Sequence, residues 1–177
     1  MNRAQAVLAR FDLAEYRLCR GLNSIASQRA LRALFQAASR AGDGVFWYAM
    51  LAALPLAYGP AALRPCLAMA ATGLLGVGVY KALKHSLVRE RPFIRHAGIT
   101  LAMPPLDRYS FPSGHTLHAA CFSWQAIAHF PALAWILVPV ASLVAASRVV
   151  LGLHYPSDVI VGAVLGALLA AAGLSLV

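Results

Sequence analysis

A chain of 177 residues that is 60% apolar and only 12% charged falls well short of the roughly one-quarter charged residues of ordinary soluble domains. Its length fits one domain built as a bundle of lipid-facing helices. The formal charge of +9 accompanies so much hydrocarbon that it points to anionic headgroups or a phosphorylated substrate, and nucleic acid is set aside as a partner.

Residues 1–40 carry Arg3, Arg10, Arg17, Arg20, Arg29, Arg32 and Arg40 without a continuous apolar core. A cleavable signal needs such a core, so this segment is expected to stay in the mature protein. Over 11–40, Leu13, Tyr16, Leu22, Ile25, Leu31, Leu34 and Phe35 are interleaved with arginines. The pattern predicts an amphipathic helix, or a pair broken near 21–24, lying in the headgroup region; a basic arm packed on the bundle is the plainer alternative. Cys19, Cys66 and Cys121, odd in number and scattered, suggest neither a disulfide framework nor a zinc site.

Beyond Gly42-Asp43-Gly44 the spans begin. The first, Val45 to Tyr58, is short, contains Pro55 and is closed by Gly59-Pro60, with Trp47 and Tyr48 marking its interfacial end. A second covers 66–83, where Gly73, Gly76 and Gly78 would admit a close neighbour. Residues 84–112 are polar and rich in Arg, Pro and His, too broken for a span and too long for a simple connection, so function is expected there. No Lys, Arg, Asp or Glu occurs over 109–147, which predicts two antiparallel spans with a tight turn at His129-Phe130-Pro131. The last span opens at Tyr155-Pro156, and its Gly162 and Gly166 have the spacing of tight helix packing. The expected fold is all-α, a polytopic membrane helix bundle of about five transmembrane helices plus an N-terminal amphipathic interfacial segment (1–44), forming a single domain over 1–177.

Three clusters fall at the ends of these runs: Lys84 with Arg91-Pro92, Pro112-Ser113-Gly114-His115, and Ser147-Arg148 with His154 and Asp158. An even number of crossings separates them, so all three lie on one membrane face. Singly each has an ordinary explanation, such as a snorkelling cation or a helix cap; jointly they are costly in a membrane, and such clusters are usually functional. A neutral His154 can attack phosphorus, with Asp158 one turn away holding its other ring nitrogen. His115 can protonate the leaving oxygen and then activate water. Lys84, Arg91 and Arg148 can neutralise the non-bridging oxygens, work that a divalent metal does elsewhere, so neither a metal nor another cofactor is expected. The amides of Ser113 and Gly114 open a helix toward the phosphate, and the Ser113 hydroxyl can add to them.

Together these three motifs resemble the full signature of the type 2 phosphatidic acid phosphatase (PAP2) superfamily, and the spans resemble its small bacterial membrane branch. The resemblance implies a lipid phosphate or pyrophosphate phosphatase working through a phosphohistidine. Undecaprenyl pyrophosphate and phosphatidylglycerophosphate are the leading substrates, ahead of phosphatidic acid and lipid A phosphate. It also implies a bacterial inner membrane location with the site on the periplasmic face. The N-terminal arginines pull the other way, since they share a side with the site and leave Arg64 nearly alone opposite. A catalytically silent headgroup binder and an anion or lipid transporter on the same scaffold are the alternatives.

Of the remaining polar groups, His118, one turn after His115, is expected to serve helix packing or an interfacial role, with binding of a second ligand as the alternative. His85, His96 and His129 show no partner in the sequence, and Arg89, Arg95 and Arg108 are expected to be solvated loop charges, with recruitment of an anionic headgroup as the alternative.

Overall fold

The computed structural model describes residues 3–177. The chain is an all-α membrane helix bundle with the element order α1 (Arg3–Asn23), α2 (Arg29–Ala41), α3 (Val45–Tyr58), α4 (Leu63–Ser86), the single-turn α5 (Pro92–Arg95), α6 (Gly114–His129), α7 (Ala134–Val150) and α8 (Pro156–Leu174). Among the described residues, three stretches are long and apolar enough to cross a bilayer: 60–86, 131–150 and 156–174. Helix α3 is a shorter apolar helix, and α6 has 16 residues. The five apolar runs read from the sequence are therefore present, two of them shorter than the roughly 20 residues of a full span.

The helix ends follow local chemistry. Between α1 and α2, Ser24 and Ser27 turn their hydroxyls onto the carbonyls of Gly21 and Ser24, each at 2.7 Å, a side-chain bond that competes with helix continuation. Helix α3 stops at Gly59, whose φ of 76° suits glycine, and Pro60 follows. Helix α8 starts with Pro156 at its first position, and the Asp158 carboxylate accepts from the Tyr155 amide at 2.8 Å.

Helices α6 and α8 pack most intimately. A Cβ on Gly162 would lie 2.5 Å from the Ser113 carbonyl oxygen, and one on Gly166 only 2.2 Å from that of Leu117. Gly73 and Gly76 likewise leave room for Phe122 and Leu117, whereas Gly78 faces open space and contributes no close approach, contrary to the sequence expectation. Trp47, Leu54, Met69, Phe122, Leu137 and Val144 form the main core. Inside it Gln125 of α6 donates to the Thr72 hydroxyl of α4 at 2.9 Å, the kind of polar tie that joins helices in lipid. Leu56, Leu74, Trp135 and Leu168 point outward, as a hydrocarbon solvent permits.

Helices α1 and α2 form the broken pair anticipated from the sequence, and they dock on the end of the bundle where 84–112 lies. Glu15, Cys19, Asn23 and Ser39 are buried there, while Phe11, Leu13, Leu18 and Leu34 stay exposed. Asn23 donates to the carbonyls of Thr100 and Val150 at 2.9 Å and accepts from the Thr100 amide at 2.8 Å. The segment is thus packed on the bundle, as the plainer reading expected, through these polar groups together with Tyr16, Cys19 and Leu22 against Ile99, Val149 and Tyr155, and it keeps other apolar side chains exposed.

Candidate active site

Where α4, α6 and α7 end or begin, a cavity of about 830 Å³ is lined by Lys84, Arg91, Gly114, His115, Arg148 and His154. The three sequence clusters therefore meet at one end of the bundle. The cavity continues along apolar walls supplied by Trp47, Leu51, Leu74, Val77 and Phe122.

His154 is placed by the turn after α7. The amides of Leu153 and His154 both donate to the Arg148 carbonyl, at 3.1 and 3.0 Å, so the chain folds back over Arg148. Gly152 permits this with φ 76°, and a Cβ there would meet the Thr100 oxygen at 2.7 Å. His154 is 1% exposed, and its Nε2 lies 3.3 Å from Nη1 of Arg91. A guanidinium only donates, so Nε2 carries the lone pair and Nδ1 the proton. Burial, with Arg148, Arg91, Lys84 and His115 around it, pushes the imidazole well below its usual range and keeps it neutral.

Asp158 stands behind that ring. Its Oδ2 is 3.6 Å from His154 Nδ1, and Nδ1 has no hydrogen-bond partner among the described residues. The two face each other without the hydrogen bond expected from the sequence, because Oδ2 is held by the Tyr155 amide and Oδ1 by Arg89 at 2.6 Å. Arg89 is no solvated loop charge: its other nitrogen pairs with the buried Glu15 of α1, and its guanidinium lies 4.0 Å above the Tyr155 ring. Burial alone would favour its neutral form, but Asp158 and Glu15 outweigh this and raise its pKa. Glu15 also accepts from the Ser157 amide at 2.9 Å. Beside it, burial and Glu15 push the Cys19 thiol up to about 12, which leaves it an inert packing group.

Ser113 caps α6 through its hydroxyl, and its amide donates to the Asp158 carbonyl at 3.1 Å. Both groups are thereby engaged away from the cavity, so Ser113 holds the helix start in place while Gly114 forms the wall. His115 Nε2 is hydrogen-bonded to Asp43, a residue of the connection between α2 and α3 that the sequence reading passed over. That hydrogen bond, working against burial, holds the Asp43 carboxyl below the usual range. Gly42 lets the connection come close, since a Cβ there would lie 2.9 Å from the His115 ring.

The cations differ in their partners. Lys84 and Arg91 are both paired with Asp107, through its Oδ2 and, at 2.7 Å, its Oδ1. Arg148 is 2% exposed, donates from Nη1 to the Ser39 hydroxyl of α2 and leaves Nε without a partner among the described residues. No carboxylate forms an ion pair with it among the described residues. Asp43, Asp107, Ser39 and Glu15 carry no spacing signal toward the motifs; only the Gly42-Asp43-Gly44 turn, a carboxylate between two glycines, hinted at one of them.

Of the other candidates, His118 bridges α6 to α4, its ring nitrogens 2.9 Å from the Gly114 and 3.1 Å from the Gly73 oxygen, which is the packing role expected. His96 packs against Tyr16 with its ring tilted by 30° and the centroids 4.4 Å apart. Arg95 makes an exposed pair with Asp12 at 3.6 Å. The three cysteines are buried and unpaired. No three His, Cys, Asp or Glu side chains are grouped as a metal site requires among the described residues.

Residues 61–177 match the family model of the PAP2 superfamily. The chain is 38% identical over 118 residues to decaprenylphosphoryl-5-phosphoribose phosphatase of Mycolicibacterium smegmatis, a match covering 66% of this chain and 62% of that protein. It thus spans rather less than two thirds of the length of that relative. Among solved structures, LpxE of Aquifex aeolicus superposes with a TM-score of 0.77 at 26% identity, over 90% of this chain and 93% of that one. A PAP2-type phosphatidylglycerolphosphate phosphatase of Bacillus subtilis gives 0.73 at 25% identity, over 94% and 85%. With its three motifs gathered on one cavity and its sequence matched over the same span, the chain belongs to the PAP2 superfamily.

Proposed function

We propose that this protein is a membrane lipid phosphatase that hydrolyses a lipid phosphate or pyrophosphate through a phosphohistidine on His154, with no metal required. The observation that carries this reading is a neutral, buried imidazole, its Nε2 free of a proton, beside a buried Arg148 that forms no ion pair with a carboxylate among the described residues. A buried cation without a counter-ion is costly unless a ligand supplies the charge, and a phosphoryl group supplies it next to the nucleophile.

In the first half-reaction the Nε2 lone pair attacks phosphorus, the bond to the lipid oxygen or departing phosphate breaks, and His115 delivers a proton to that oxygen. In the second, His115 takes a proton from water, the water oxygen attacks phosphorus and the P–N bond breaks. Asp158 faces Nδ1 and stabilises the charge that develops on the ring. Lys84, Arg91 and Arg148 neutralise the non-bridging oxygens, Gly114 lets the substrate approach the start of α6, and Ser113 holds that helix start.

The apolar extension of the cavity suits a lipid tail. Undecaprenyl pyrophosphate and phosphatidylglycerophosphate are the leading substrates: by their names the M. smegmatis relative acts on a polyprenyl-linked phosphate and the B. subtilis protein on phosphatidylglycerophosphate. Residues 1–177 act as one unit in the bacterial inner membrane, with the site on the periplasmic face.

A phosphate-release assay in detergent across a panel of lipid phosphates, with EDTA present, tests reaction class and substrate together. Turnover that survives EDTA, is inhibited by vanadate and vanishes in a folded His154→Ala variant is the expected result. Lipid binding without release would leave a silent headgroup binder, and liposome flux that survives His154→Ala a transporter. For the membrane side, cysteines placed at Ser24 and Thr100, both exposed at the site end, should both react with an impermeant maleimide in cells with a permeabilised outer membrane. Labelling only after lysis would put the site in the cytoplasm.

A further inference from the structure

Of the three motif cations that line the cavity, Lys84, Arg91 and Arg148, the first two are already occupied by the chain itself. Asp107 Oδ2 pairs with Lys84, its Oδ1 takes Nη2 of Arg91 at 2.7 Å, and its backbone oxygen takes Nε of Arg91 at 3.0 Å. Nη1 of Arg91 is committed to the Leu153 oxygen at 2.7 Å and lies 3.3 Å from His154. A phosphoryl group therefore cannot pair with Lys84 and Arg91 in the fork geometry of a guanidinium unless the carboxylate leaves.

The segment bearing Asp107 is held at both ends and little between. On one side Ala102 is tied by its amide to the Leu151 oxygen at 3.2 Å and by its oxygen to Gln36 at 2.7 Å. On the other, Tyr109 bridges to Glu90 and the Ser110 amide donates to the Arg89 oxygen at 2.9 Å. Over 103–108 the contacts of Asp107 with Lys84 and Arg91 are the polar ties among the described residues, and Leu106 beside them is 70% exposed. Lys84 and Arg91, working against burial, hold the Asp107 carboxyl below the usual range, so it is an anion between its two cations.

We propose that Asp107 is a specificity residue: its carboxylate sits where the phosphoryl oxygens must bind and yields to a dianionic terminal phosphate but not to the monoanionic phosphodiester of ordinary phospholipids. The inference rests on the phosphatase reading and extends it from a reaction to a filter. Exchanging Asp107 for a phosphodiester replaces one negative charge by one, and the tethered carboxylate has the advantage of effective concentration. A terminal phosphomonoester or diphosphate brings a further charge, and the unpaired guanidinium of Arg148 is there to receive it. The bulk lipid around the enzyme is thereby kept off Lys84 and Arg91 while the rare substrate is admitted.

The test uses the full chain in mixed micelles, comparing wild type with Asp107→Asn. Calorimetric titration with orthophosphate should show binding at least about fivefold tighter in the variant. In phosphate release from a lipid phosphomonoester, phosphatidylglycerol added as competitor should inhibit the variant at about one tenth of the concentration, relative to KM, that wild type requires. Orthophosphate binding that is equal or weaker in a folded variant, or an unchanged response to phosphatidylglycerol, overturns the proposal, Asp107 then being a fixed support for its two cations. A readout that keeps Asp107 is the labelling rate of a cysteine at Leu106, which should rise when orthophosphate saturates the protein; no rise counts against displacement. The calorimetric and labelling arms need no turnover, so a protein that shows both effects yet releases no phosphate would sink the phosphatase reading and leave the displaceable carboxylate standing.

Discussion

The Asp43 carboxylate, carried by the connection between α2 and α3, is hydrogen-bonded to Nε2 of His115 at the start of α6. A carboxylate there favours the imidazolium and fixes which ring nitrogen faces the cavity, so it orients the group proposed as general acid. Asp43→Asn is expected to lower kcat by about tenfold to a hundredfold, short of the loss of the acid itself. The basic limb of the kcat pH profile should move to lower pH, since the acid gives up its proton more readily. A purely structural role for Asp43 would change stability and leave that limb in place.

The same contact sets an acid limit on stability. The Asp43 carboxyl is held below its ordinary value, so its contribution is present above the unfolded-state value, about 4, and is lost as pH falls through the lower folded value. Thermal unfolding in detergent should show wild type losing Tm as pH falls below about 4, with a shallower loss in Asp43→Asn.

Arg148 offers a separation of activity from stability. With no ion-pair partner and an orphaned Nε among the described residues, its charge is offset by Asp43 and Asp107 from beyond ion-pair distance. Arg148→Met should lower phosphate release by about 10²–10³-fold, as losing one preorganised donor does, while Tm stays level or rises, as expected when such a charge is replaced by an apolar side chain. A clear drop in Tm would show that its hydrogen bond to Ser39 matters more to folding than its charge costs.

Arg89 should behave in the opposite way. Its removal leaves Asp158 and Glu15 buried at the same spot without a counter-ion, and Arg89→Met is expected to cost about 3 kcal/mol. Adding Glu15→Gln to that variant should recover part of the loss, because one of the stranded charges is gone. Chemical unfolding of the two single variants and the double variant gives the coupling directly.

Glycines of the two central helices predict opposite signs. Gly166→Ala drives a methyl into the Leu117 carbonyl and should destabilise by about 1–3 kcal/mol. Gly78→Ala meets open space and should stabilise α4 by up to about 1 kcal/mol. Unfolding midpoints of the two variants check both.

Much of this was legible in one dimension, for identifiable reasons. Apolar runs bounded by Gly59-Pro60, His129-Phe130-Pro131 and Tyr155-Pro156 mark helix ends because glycine and proline limit the backbone locally. Lys84, His115, Arg148 and His154 sit at the ends of these runs that lie away from Gly59-Pro60 and His129-Phe130-Pro131, with Arg91 in the loop between, so their convergence followed from counting crossings. Asp43, Asp107, Ser39 and Glu15 were silent because each meets its partner through tertiary placement, Glu15 reaching Arg89 across 74 positions of chain. Arg89 was misread for the same reason: a loop arginine looks solvated until α1 is laid over it. The missing bond between Asp158 and His154 shows the limit of one-turn spacing, which brings two groups near without saying which other donors claim the carboxylate.

The stretch ahead of residue 61 lies outside the family match, yet it supplies Ser39 to Arg148, Asp43 to His115 and Glu15 to Arg89. Homologues sharing every signature position are therefore free to diverge in catalytic behaviour by exchanging their leading helices alone. Grafting such a front end between two of them would retune turnover with the hallmark residues left untouched.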